Sequence, residues 1–143
     1  MLRFLLVGVT GWIAVLALGV EVALPYLLRE AVRKQSATVP SSARAGRVVR
    51  LREKMWPHYW LGYGLAALVV VHSSFVMGPV MGRADAVGIW AATLGLCAIF
   101  LQIGLGLLLK SGSDNQRQIR RWHFWSMLGL VGMVVMHLAR NSY

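Results

Sequence analysis

The sequence predicts an all-α membrane protein: a four-transmembrane-helix bundle of up-down-up-down topology in a single domain spanning residues 1–143. Three observations carry that prediction. The 143 residues are 57% hydrophobic and 14% charged, whereas a soluble domain carries about 25% charged residues. Four apolar stretches approach or exceed the roughly 20 residues that a helix needs to cross about 30 Å of hydrocarbon. The basic residues gather in the connections and leave the spans almost free of charge.

The first span runs from about Leu2 to Leu28 and is interrupted only by Arg3 and Glu21. It opens like a signal peptide, with a basic residue before an apolar run. It is longer than a usual signal core and is followed by no convincing small-residue cleavage site, so we read it as a retained helix. The second span runs from about Pro57 to Val80, with Pro57 suited to a first helical turn because its missing N–H has no intrahelical partner there. The third, about Ala86 to Leu109, holds no charge, and the fourth runs from about Arg121 to Ala139.

The connections are short except for residues 29–56, whose Val39-Pro40-Ser41-Ser42 centre suggests a break between two basic arms, with helix as one form open to them, lying at the lipid headgroups. The net charge is +10, and eight of the 15 Lys and Arg lie between Arg29 and Lys54, with four more between Lys110 and Arg121. That concentration reads as membrane topology and not as a nucleic-acid surface, since positive charge accumulates in cytoplasmic loops. Arg3, Arg83 and Arg140 are the only basic residues on the other side. The expected placement is therefore an integral protein of a bacterial inner membrane with both termini periplasmic. Trp56, Trp60, Trp122 and Trp125 would form the cytoplasmic aromatic belt. The single cysteine, Cys97, is read as a small core residue; it has no intramolecular disulfide partner.

Histidines supply the chemistry. His58 and His72 lie on the second span and His123 and His137 on the fourth, each pair fourteen residues apart. Fourteen helical residues make almost four turns, about 40° from alignment, with a rise of about 21 Å. Each helix thus carries two histidines on one face at two depths. The second and fourth spans run parallel, so His58 is level with His123 on the cytoplasmic side and His72 with His137 on the outer side. An ionisable group inside a bilayer is costly and marks a functional site with a partner. Two bis-histidine haems, stacked across the membrane, would supply that partner to all four imidazoles. Six-coordinate iron of that kind suits electron transfer and leaves no open position for oxygen or substrate.

Around the histidines, Gly62 and Gly129 are the glycines expected to admit a porphyrin, although tight helix packing uses glycine equally. Arg120 and Arg121, with Arg52, Lys54 and Arg117, are candidates to meet propionates on the cytoplasmic side; Arg83 or Arg140 are candidates on the outer side. Glu21, the one acid well inside a span, is a candidate for proton exchange with a quinone or for pairing with Arg29. Gln102 and Tyr63 are weaker candidates of the same kind, and Met127, Met133 and Met136 are read as packing residues.

This arrangement resembles the four-helix, two-haem core of the cytochrome b and b6 family, in which two parallel helices each supply a histidine pair at this spacing. The segments Arg120-Arg-Trp-His-Phe and Met136-His137-Leu138 are similar to the fourth helix of that family. The resemblance implies two haems b, held by His58 with His123 and by His72 with His137. It implies electron exchange with a quinone pool or a redox partner, and assembly with other subunits of a redox complex in contact with membrane lipids. The chain departs from the family in lacking glycine pairs at fourteen-residue spacing on the first and third spans, and in lacking a proline-glutamate quinol motif. It is equally similar to a cytochrome b anchor subunit of a membrane dehydrogenase, hydrogenase or reaction centre. Two alternatives stand beside the electron-transfer reading: a haem-containing structural anchor, and a haem-free metal or proton transporter with histidines along its path.

Overall fold

The computed structural model describes residues 2–36, 54–76, 85–112 and 115–141. They form four helices: α1 (Leu2–Ser36), α2 (Trp56–Val76), α3 (Ala86–Ser111) and α4 (Gln116–Asn141). All four are long and apolar enough to cross a membrane. The suggested break at residues 39–42, and Arg52 and Arg83, lie outside the described residues.

Helix ends extend beyond the apolar spans for one physical reason: hydropathy marks where lipid ends, and a helix continues as long as its polar residues support it. α1 runs eight residues past Leu28, so the first basic arm is its continuation. There Glu30 pairs with Arg33 at 2.9 Å and with Lys34 at 4.0 Å, the helical i,i+3 and i,i+4 spacings. α4 starts five residues before Arg121, so Arg117, Arg120 and Arg121 belong to its first two turns. α3 ends at Ser111, two residues beyond Leu109, where Gly112 adopts φ 80°, the left-handed cap that a Cβ would disfavour. Pro57 does lie in the first turn of α2. Pro25 sits inside α1; without an N–H it leaves the Glu21 carbonyl lacking its usual helical donor.

The packing is uneven. α1 lies along α2, and α3 along α4; α2 and α3 touch over a short stretch only, and the remaining pairs scarcely meet. The α3–α4 contact follows a stripe of Gly88, Ala91, Gly95 and Ile99, spaced three and four apart on one helix face. Small residues there bring the backbones close, and a Cβ on Gly95 would already touch Leu130 and Met133. A modest core of Leu18, Leu65, Ala66, Ile99 and Leu130 joins the two halves. Large apolar side chains such as Leu16, Trp90 and Val135 point outward, the distribution expected where lipid and not water is the solvent. Cys97 is among the exposed residues and not in the core. It follows the buried Gly95 by two positions, which turns it about 200° around the helix from that stripe.

At one end of α3 a polar clasp closes onto α4. Asp85 caps α3 by accepting the Gly88 N–H at 3.2 Å and receives Arg140 Nε at 3.1 Å. Asn141 accepts the Asp85 N–H through Oδ1 at 3.1 Å and donates from Nδ2 to the His137 carbonyl at 3.1 Å.

Candidate cofactor site

The histidine-bearing helices α2 and α4 belong to different halves of the molecule, so each level pair spans the division between them. His58 and His123 have ring centroids 6.5 Å apart and planes crossed at 84°. Two imidazoles on opposite sides of one metal, each bonded at about 2 Å with roughly 1 Å more to the ring centre, have centroids about 6 Å apart. The observed separation is close to that. At the other level, His72 on α2 and His137 on α4 each stand fourteen residues further along the same two helices. All four side chains are half-buried.

What stands behind each ring bears on how it can bind. The His137 Nδ1 lies 3.0 Å from the Gly88 carbonyl, which can only accept, so Nδ1 carries the proton. The His72 Nδ1 lies 3.1 Å from Thr10 Oγ1. That hydroxyl has one proton and donates it to the Leu6 carbonyl at 2.6 Å, so here too the imidazole Nδ1 is the donor. The His58 Nδ1 lies 2.8 Å from Glu21 Oε1, an ion-pair distance, although the ring is turned off the line of a full hydrogen bond. Two of the four imidazoles, His72 and His137, thus hold Nδ1 against an acceptor and keep Nε2 for a ligand, the tautomer set by a second partner that metal-bound histidines use, and His58 sets Nδ1 beside a carboxylate oxygen. His123 Nδ1 is buried without a partner.

Glycines make these seats. A Cβ on Gly11 would come within 3.1 Å of His72 Cε1, and one on Gly62 within 3.2 Å of Glu21 Oε1. A Cβ on Gly106 would touch His123 at 3.9 Å, and one on Gly88 would overlap the Asn141 side chain. The first and third spans therefore place glycine beside histidine without the even fourteen-residue spacing. Gly129 is exposed with open space around it, whereas Gly62 lines the site.

A cavity of about 600 Å³ opens between the halves at the level of His58 and His123, within the range of about 300–1,000 Å³ usual for cofactor and ligand sites. Its walls are mostly apolar, with Leu18, Leu65, Ile99 and Leu130, and its polar lining includes Glu21, Arg29, Gln102 and Arg120. Arg120 thus faces the cavity as well as a neighbouring groove, while Arg117 and Arg121 line the groove alone. Tyr63 and Met127 are also in the wall. Gln102 bridges α3 to α4 by donating to the His123 carbonyl at 2.8 Å and to Ser126 Oγ at 2.9 Å. Glu21 has His58, and not Arg29, as its partner.

No family model, curated protein or solved structure matches this chain. The reading of the site therefore rests on its geometry. Among the described residues no group of three or more His, Cys, Asp or Glu is placed to hold a bare metal ion. Two facing imidazoles fit a metal whose remaining ligands arrive with it, as a porphyrin brings four nitrogens. Sequence reading passed over Thr10, the Gly88 carbonyl and Asn141, because their partners lie 49 to 62 positions away, or stand four residues along α4 in a helix-end clasp.

Proposed function

We propose that this chain is a dihaem b-type membrane subunit of an oxidoreductase complex, serving electron transfer across the bilayer between a quinone pool or redox partner and another subunit. The observation that carries the reading is the seating of the histidines. His58 and His123 face each other across the two halves, His72 and His137 lie fourteen residues along the same helices, and the Nδ1 atoms of His72 and His137 rest on acceptors that leave Nε2 free for iron. His58 and His123 would hold the cytoplasmic-side haem, and His72 and His137 the outer one. Bound there, each haem would supply reversible one-electron chemistry, which the side chains themselves lack.

The residues do the rest. The α1 and α3 glycines keep the walls close to the imidazoles, and the apolar lining excludes water from the site. Arg120 and Arg29 offer guanidinium groups to the propionates at the cytoplasmic level. The basic ends of α1 and α4 set the orientation, with both termini on the periplasmic side of a bacterial inner membrane.

The test is an oxidised-against-reduced absorption spectrum of the detergent-purified protein with haem quantified per chain. The expected result is two low-spin haems b, with one lost in each of His72→Ala and His123→Ala. Protein purified without haem from cells supplied with it would refute the proposal.

A further inference from the structure

The two histidine pairs are alike in spacing and unlike in what stands behind them. His72 rests on a hydroxyl oxygen and His137 on a backbone carbonyl, both neutral acceptors. His58 rests on Glu21, a carboxylate on the first helix, with both side chains only 15% exposed. The second carboxylate oxygen, Oε2, is buried without any partner. Among the described residues no Lys or Arg lies within ion-pair distance of Glu21, although Arg29 and Arg120 line the same cavity. The carboxylate therefore stands beside the imidazole at 2.8 Å, off the line of a full hydrogen bond, and among the described residues no Lys or Arg neutralises it.

The seat is built for it. Gly62 follows His58 by one turn on α2, and any Cβ there would press on Glu21 Oε1 at 3.2 Å. The missing side chain lets an acidic group from α1 reach the back of the ring. A buried acid inside a membrane span is costly, and among the described residues its one ion-pair partner is a histidine of the site.

We propose that Glu21 is a positioning residue that makes the two sites unequal, giving the haem held by His58 and His123 the lower reduction potential. This inference rests on the dihaem reading. A carboxylate behind Nδ1 raises the basicity of the opposite nitrogen, as outer-shell partners do for metal-bound histidine. Its negative charge, in a medium of low dielectric, favours the more positively charged oxidation state of the iron. The hydroxyl and carbonyl oxygens behind His72 and His137 carry no net charge, so the His72–His137 site receives less of both effects.

The experiment measures midpoint potentials optically in the His72→Ala background, where only the inner site is filled, with the two-haem protein as reference. Glu21→Gln should raise the inner midpoint so that the reduced-to-oxidised ratio at fixed potential increases about tenfold, equivalent to about 59 mV for one electron. Glu21→Asp, which retains the charge one methylene farther away, should fall between the two. The low-spin electron paramagnetic resonance signal of the inner haem should shift in Glu21→Gln while that of the outer haem stays in place. If Glu21→Gln loses the inner haem, Glu21→Asp supplies the measurement, and its midpoint must still rise. Midpoints that do not move in haem-loaded variants, or an outer haem that moves in place of the inner, would overturn the role of Glu21. A wild-type protein free of haem would instead overturn the reading beneath it.

Discussion

The glycine that fits most tightly against a histidine ring, and so probes a seat without substituting the histidine, is Gly11. A Cβ there would stand 3.1 Å from His72 Cε1, while carbon atoms at rest lie about 3.5–4.0 Å apart. Gly11→Ala therefore displaces the ring or the α1 backbone by roughly half an ångström, and Gly11→Leu by far more than the seat allows. Overpacking of this kind costs about 1–3 kcal/mol. If that strain falls on the ligand geometry, outer-haem affinity drops by about 5- to 150-fold. The assay is haem per chain after a graded wash with a haem-binding competitor, resolved by site through the His72→Ala and His123→Ala spectra. Gly11→Leu should lose the outer haem and keep the inner. Gly129→Leu is the control, because nothing lies within 4 Å of that position. If Gly11→Leu kept two haems at wild-type affinity, α1 would not wall the His72 site and the seating argument would fail there.

Two further predictions concern the frame. Gly88 N–H first, and the Arg140 guanidinium second, hold the Asp85 carboxyl below the usual carboxylate range. A depressed folded value means that Asp85 stabilises the fold fully above its unfolded value near pH 4 and loses that contribution as pH falls through the folded one. Asp85→Asn should thus melt at lower temperature than wild type at pH 7, with the gap closing below about pH 4; a gap unchanged in acid would contradict the clasp. Gln102→Leu removes two hydrogen bonds between α3 and α4. At the average of about 0.6 kcal/mol for such bonds in membranes, it should destabilise the protein by about 1 kcal/mol in denaturant unfolding in detergent.

The four helices and the approach of His58 to His123 are legible in the sequence because both follow from periodicity. Hydropathy marks a span by its length, and a spacing of fourteen returns a helix almost to the same face, so His58 and His72 declare a shared face without any structure. The seats behind the rings are not periodic. Thr10 meets His72 across 62 positions, and Gly88 meets His137 across 49; no local pattern encodes either. The helical ends of α1 and α4 reach past their apolar spans because a window tuned to hydrocarbon stops at the first cluster of charge, whereas Glu30 with Arg33 and Lys34 extends α1. Cys97 was read as core from its apolar neighbours, but a helix inside lipid can be apolar all round, so neighbours do not reveal which face is inside.

The division of the bundle into two closely packed pairs has a consequence for how such a molecule comes into being. Each pair holds itself together through direct helix contact, so each can enter the bilayer as a finished unit. The last step, joining the pairs, has little helix-to-helix contact to drive it, and on the proposed reading the ligands that complete each site come one from either side. Assembly of the whole would then wait on cofactor supply, and a cell short of haem would hold the chain as two loosely tethered halves, exposed to quality-control proteolysis.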